Sequence, residues 1–216
     1  MIIKIAGEIG WNVNTEDVTA KLDEATGDVT MLVDSTGGDV FVGAAIHQAF
    51  KGYNRGKVTA VVQGLAASAA SYIVLAADEV HIFDNSTYMI HEARVSVFAG
   101  TAKELNSKAA AVAGINELYI DAYTKKTGMK REDVAILMDA ETYFFGDSIL
   151  DNGFADKIIE DGIAANVGKT LVDARNRVTA CKNNCKARPV DAVPDVARNE
   201  PNEFADEVNK IMESLK

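Results

Sequence analysis

Cysteine, proline and positive charge are all scarce in this chain, and each shortage excludes something. The 216 residues contain two cysteines, Cys181 and Cys185, close together in a polar stretch. A CxxxC pair without a neighbouring histidine or further cysteine is a poor zinc site, and the two read as surface thiols. Against 32 acidic side chains stand 22 lysines and arginines, a net charge of −10. Such a surface suits neither nucleic acid nor anionic lipid. No apolar run approaches the ~20 residues that a membrane span needs. Met1-Ile2-Ile3-Lys4-Ile5 reads as a strand and not as a signal peptide, being short and lacking a small-residue cleavage site. The expectation is a cytoplasmic protein with no cofactor and no metal.

Aromatic residues are also few, and their placement marks where the folded body ends. Every Phe, Tyr and Trp except Phe204 lies at or before Phe154, whereas Pro189, Pro194 and Pro201 all follow it. A segment without large apolar side chains cannot bury enough surface to offset its ordering entropy. The core domain is therefore expected over residues 1–161 and a linker or partly ordered arm over 162–200. In 201–216, Phe204, Val208, Ile211, Met212 and Leu215 recur at helical spacing, which predicts an amphipathic C-terminal helix.

Within the body, strand patterns alternate with helical ones. Val29 to Val33 is a β-rich run that ends in the turn cluster Asp34-Ser35-Thr36-Gly37-Gly38. Val42, Ala45, Ile46, Ala49, Phe50 and Tyr53 then follow at helical spacing. Lys57 to Gln63 is a second strand ending at Gly64, and the small residues from Ala66 to Ala76 read as a buried helix. Glu79 to Phe83 and Thr87 to Ile90 are strands. Thr101 and Glu104 form a capping box that opens a long helix closed by Gly128. A shorter helix runs through Val134, Leu137 and Met138, and Gly153 leads into a strand at Ala155 to Ile159. Strand–helix–strand units joined by short turns predict an α/β fold with a mostly parallel sheet.

Ligand sites in open α/β sheets collect where strands end, and three such places carry chemistry. Gly37-Gly38 can turn backbone amides into a site as anion donors, although two glycines alone serve equally as a plain turn. Ser68, among alanines in Gly64-Leu65-Ala66-Ala67-Ser68-Ala69-Ala70-Ser71, sits where a helix start offers unpaired amides to a developing oxyanion. The surrounding sequence is not GxSxG, so an α/β-hydrolase is not supported. His91 ends the strand Tyr88-Met89-Ile90 and supplies the base that a serine hydroxyl needs. His47, within a helix, and His81, within a strand, read as structural. An acidic partner for the imidazole is sought in Asp139 and Glu141, and spacing alone does not choose between them.

Together these segments resemble the proteolytic subunit of the Clp proteases, and more closely the Clp-like head-maturation proteases of phages and prophages. Asp34 to Val40 is similar to the glycine-pair loop of that family, with Thr36 where a proline is usual. Gly64 to Ser71 resembles the nucleophile segment, Met89-Ile90-His91 the histidine segment, and Glu141 to Asp156 the region of the third residue. The phage branch is suggested by Gly7-Glu8-Ile9-Gly10-Trp11 and Glu141-Thr142-Tyr143-Phe144. It is suggested also by a chain that starts at its first strand, where Clp subunits carry a segment that meets an unfolding ATPase.

The resemblance implies a ClpP/crotonase-like spiral of strand–helix units with a protruding handle helix at about 101–126. It also implies a homo-oligomeric ring and a serine endopeptidase acting on capsid or scaffold protein during head maturation. Ser68 would be the nucleophile, His91 the base, and the amides of Gly38 and Ala69 the oxyanion donors. Glu141 is the matching acid, where Clp subunits proper have aspartate, and Asp139 stays open. Two other classes share the fold: a crotonase-type acyl-CoA enzyme, which has no need of Ser68 and His91 together, and a non-catalytic ring protein that organises assembly.

Overall fold

Three long strands in which apolar side chains recur at every second residue build the centre of the sheet. In the computed structural model, which describes residues 1–159, β1 (Ile2–Ile9), β2 (Val29–Gly38) and β3 (Val58–Ala67) lie side by side and parallel. Ile3, Ile5, Met31, Val33, Ala60 and Val62 point to one face and enter the main core. Leu32 and Val61 point the other way and form a small second cluster with Phe83. The expected arm at 162–200 and helix at 201–216 lie outside the described residues.

β3 is the branch point of the sheet. Its first half, Thr59 to Val62, pairs with β4 (Glu79–Ile82), which in turn pairs with β7 (Lys157–Ile158). Its second half, Leu65 to Ala67, pairs instead with β5 (Thr87–Ile90). On its other edge β5 meets β6 (Thr142–Phe145), the one antiparallel pairing among the described strands. Buried Ser86 occupies the fork: its hydroxyl donates to Val62 O and accepts from Phe83 N, 2.8 Å each. Opposite the fork β3 takes two extra residues relative to β2, and Asp34 accepts from Leu65 N there.

Local chemistry sets the helix ends. Asn14 caps α1 (Thr15–Glu24), and Asp39 caps α2 (Val40–Lys51) by accepting from the Phe41 and Val42 amides. α3 (Ala69–Ile73) is short and passes into a 3₁₀ turn, Val74–Ala76. The long helix α4 (Ala102–Thr127) has the full Thr101/Glu104 capping box and ends on Gly128 in the left-handed conformation. Its first ten residues are exposed, whereas Tyr119, Ile120 and Tyr123 are buried near its end. α5 (Arg131–Asp139) and α6 (Asp147–Asp151) flank β6. No helix among the described residues is long and apolar enough to cross a membrane.

Two expectations need correction. Gly37 and Gly38 are not a turn after a strand: β2 continues through them, because Glu8 and Ile9 of β1 pair with them beyond a register shift. The helix expected from Ala66 begins only at Ala69, since Ala66 and Ala67 are held as strand by Ser35, Tyr88 and Met89. Pairing on both sides overrides the helical propensity of alanine here.

Phe154 joins the late and early parts of the core. It is fully buried, with its ring 4.9 Å from Tyr88, 5.9 Å from Tyr123 and 4.8 Å from Phe144. Phe154→Ala is expected to lower unfolding stability by about 3–5 kcal/mol, checked by denaturant titration.

Candidate active site

Ser68 stands between β3 and α3 in a conformation that serine rarely adopts, φ 54° and ψ −126°. Among the described residues only two non-glycines have positive φ, Ser68 and Glu141 (φ 50°). Such positions cost of order 1–3 kcal/mol each and collect at functional sites. The strand–serine–helix corner is the shape of a nucleophile elbow, reached without the GxSxG sequence. The register of three strands explains who meets whom. Ala67 pairs with Met89 across β3 and β5, and Ile90 pairs with Thr142 across β5 and β6. One step further along each ladder, His91 lies between Ser68 on one side and Glu141 on the other.

The distances follow that register. His91 Nε2 lies 2.7 Å from Ser68 Oγ, a full hydrogen bond. On the far side of the ring, Nδ1 is 3.9 Å from Glu141 Oε2, too far to bond, and has no partner although it is buried. Glu141 is instead paired with Arg94, whose side chain is 68% exposed. Exposed pairs of this kind are generally worth about 0–1 kcal/mol. The Met138 carbonyl accepts from both Glu92 N (3.3 Å) and Glu141 N (3.1 Å), tying the two segments together. Asp139, at the end of α5, is exposed, and its side chain makes no hydrogen bond or ion pair among the described residues.

The glycine strand abuts the elbow. A Cβ on Gly37 (φ +89°) would lie 2.7 Å from Ala67 O and Ser68 Cβ, and 3.0 Å from Ala69 N. Gly37 N is taken by Ser35 Oγ at 3.1 Å, and Ser35 also donates to Gly7 O. As the first residue of α3, Ala69 has an amide with no acceptor within its helix. Behind the elbow, Ser71 Oγ bonds Ser68 O at 2.6 Å and Tyr123 OH at 2.7 Å, while Tyr88 OH donates to Ser71 O. Burial pushes the phenols of Tyr88 and Tyr123 well up, so both stay neutral. This network fixes α3 and occupies Ser71.

The structure thus brings Ser68, His91 and Glu141 together with Gly37 and Ala69, while the Asp139 side chain shares no hydrogen bond or ion pair with them. His47 Nδ1 bonds the Tyr72 carbonyl beneath a stack of rings, and His81 pairs with Glu79, so neither reaches the site. Sequence reasoning missed Arg94, and the only available signal was a cation three residues after His91.

Fold and site together define a class: a branched α/β sheet that presents a serine–histidine pair at its strand ends. The chain belongs to the Clp protease family, whose model, described as Clp protease, matches residues 1–162. It is 26% identical over 135 residues to the ATP-dependent Clp protease proteolytic subunit of Deinococcus radiodurans, covering 62% of this chain and 65% of that one. To the ATP-dependent Clp protease proteolytic subunit 1 of Chlamydia abortus it is 31% identical over 134 residues, covering 61% and 69%. The chain therefore spans about two thirds of the length of these relatives. An asparagine-to-aspartate mutant of ClpP1 from Listeria monocytogenes shares the fold, with a TM-score of 0.65 and 28% identity over 74% of this chain and 91% of the other.

Two outcomes are expected. Burial, and next to it the Arg94 charge, hold the His91 pKa below its ordinary 6.5, with Glu141 acting in the opposite sense. A base must be neutral, so reactivity of Ser68 toward a fluorophosphonate should rise with pH through a midpoint below 6.5. Gly37→Ala should slow that labelling by on the order of 10²-fold by prising the glycine strand from Ala69. Gly128→Ala is the control, since it has similar positive φ but open space at its Cβ.

Proposed function

We propose that this chain is a serine endopeptidase that works through an acyl-enzyme. The observation that carries the reading is the 2.7 Å bond between His91 Nε2 and Ser68 Oγ at a strained strand-to-helix corner. His91 takes the Ser68 proton as Oγ attacks a peptide carbonyl carbon, and the amides of Gly38 and Ala69 receive the oxyanion. The C–N bond then breaks as His91 passes the proton to the leaving amine. Water, deprotonated by the same imidazole, attacks the ester and frees Ser68. Glu141 orients His91 through Nδ1. Its location opposite His91 in the β5–β6 register favours it over Asp139.

The substrate enters as an extended peptide added beside the Gly37-Gly38 strand end. The protein acts as a homo-oligomeric ring, a reading supported by family membership and by the exposed Leu105 and Leu118 on α4. The narrower role, processing of capsid or scaffold protein during phage head maturation, rests on the Gly7 to Trp11 and Glu141 to Phe144 motifs. The relatives named above are bacterial Clp subunits and add nothing to that role. A crotonase-type enzyme is disfavoured because it has no use for a bonded serine–histidine pair. A non-catalytic ring protein remains the competing reading, through Thr36 and the glutamate in the acidic position.

Labelling of the purified oligomer with a fluorophosphonate, followed by peptide mapping, separates these readings. Modification is expected at Ser68, and it should vanish in Ser68→Ala and fall by at least about 10³-fold in His91→Ala. An oligomer that takes up no label would favour the non-catalytic ring. Label on Ser71, whose hydroxyl is engaged twice, would mean that the site has been misplaced.

A further inference from the structure

Around the His91 ring one polar atom has been left without a partner, and the group that could serve it is held by another. Nδ1 is buried and unbonded. The Glu141 oxygen nearest to it, Oε2 at 3.9 Å, is the same oxygen that the Arg94 guanidinium engages. A buried donor without an acceptor is costly, whereas a carboxylate oxygen beside it would make a charge-assisted bond. The charged groups that act on the imidazole are Arg94, from the segment after β5, and Glu141, from the turn before β6. Ser68, at the end of β3, is its neutral partner.

We propose that Arg94 is a positioning residue that withholds Glu141 from His91, so that this arrangement is a resting state of the site. The inference deepens the protease reading and rests on it. Three features support the direction of the effect. Arg94 lies in residues 91–100, which form no helix or strand, so its backbone is free of any ladder. Its side chain is largely exposed, so solvent can replace Glu141 as its partner at small cost. Glu141, by contrast, is fixed by its own amide bond to Met138 O and by β6, and its carboxylate needs to move only about an ångström to reach hydrogen-bond range. Release of Arg94, by substrate or by a neighbouring subunit that offers it another acid, would complete the relay from Glu141 through His91 to Ser68.

The test compares Arg94→Ala, Arg94→Lys and Arg94→Ala/Glu141→Gln with the parent in the full-length oligomer. One readout is the rate of fluorophosphonate labelling at Ser68 across pH, and the other is the His91 imidazole titration followed by NMR. Arg94→Ala is expected to raise the plateau labelling rate on the order of tenfold, about the worth of one net hydrogen bond. It should also move both pH midpoints upward, since a cation has left and the carboxylate has come closer. Arg94→Lys, which keeps the charge without the planar fork, should lie between the two. The gain should disappear when Glu141 is glutamine. A plateau that is unchanged or lower in Arg94→Ala, or a gain that survives Glu141→Gln, would overturn the proposal. If the parent takes no label at all, the protease reading fails. The NMR titration still decides the Arg94 question, because an unmoved His91 midpoint in Arg94→Ala refutes the withheld carboxylate without any need for turnover.

Discussion

The four-residue strand β5 is the constraint from which the rest of the site follows. It leaves β4 at the fork in β3, pairs with the upper half of β3 on one edge and with β6 on the other. Because a ladder fixes its partners residue by residue, the end of β5 must lie between the end of β3 and the start of β6. Ser68, His91 and Glu141 are 23 and 50 residues apart in sequence. They are neighbours because three strand ends share one continuous register. The serine at the fork, Ser86, and the two-residue surplus of β3 opposite Asp34 are what allow one strand to serve two different partners.

Support for the corner at Ser68 comes from behind and from beside it. Behind it, Ser71, Tyr88 and Tyr123 form a buried hydroxyl network in which each member has a partner, which is the condition under which such a network rigidifies. Beside it, Gly37 brings a strand so close that no side chain would fit. Tyr123 belongs to α4, so the same helix whose first half is solvent-exposed contributes with its second half to the floor of the site. The fold therefore makes positioning of the serine depend on the main core, and not on a surface loop.

Much of this was legible in the sequence, and the failures have physical causes. Strand–helix alternation, the Thr101/Glu104 box and the Gly128 stop were readable because they depend on local chemistry, and the structure contains all three. The Gly37-Gly38 segment read as a turn because glycine pairs usually mark one, and only pairing with β1 makes it strand. Ala66 and Ala67 read as helix because alanine favours it, and two flanking strands decide otherwise. β6 was not read as a strand, since four residues are too few to display alternation. Proximity of Ser68 and His91 was inferred from their location at strand ends. The proposed preference for Glu141 over Asp139 rests on the register of β5 and β6, which no spacing along the chain contains. Arg94 left only the faint signal of a cation after His91, because the contact it makes with Glu141 spans 47 residues of sequence.

The backbone at Ser68 has a consequence for how such a chain evolves. A glycine would occupy φ 54°, ψ −126° without penalty, while every side chain with a Cβ bears strain there. Selection for stability alone would therefore pull this position toward glycine, and a lineage that had abandoned chemistry would drift in that direction with nothing to oppose it. A serine at a corner where glycine would be less strained is the exchange expected where a hydroxyl is used.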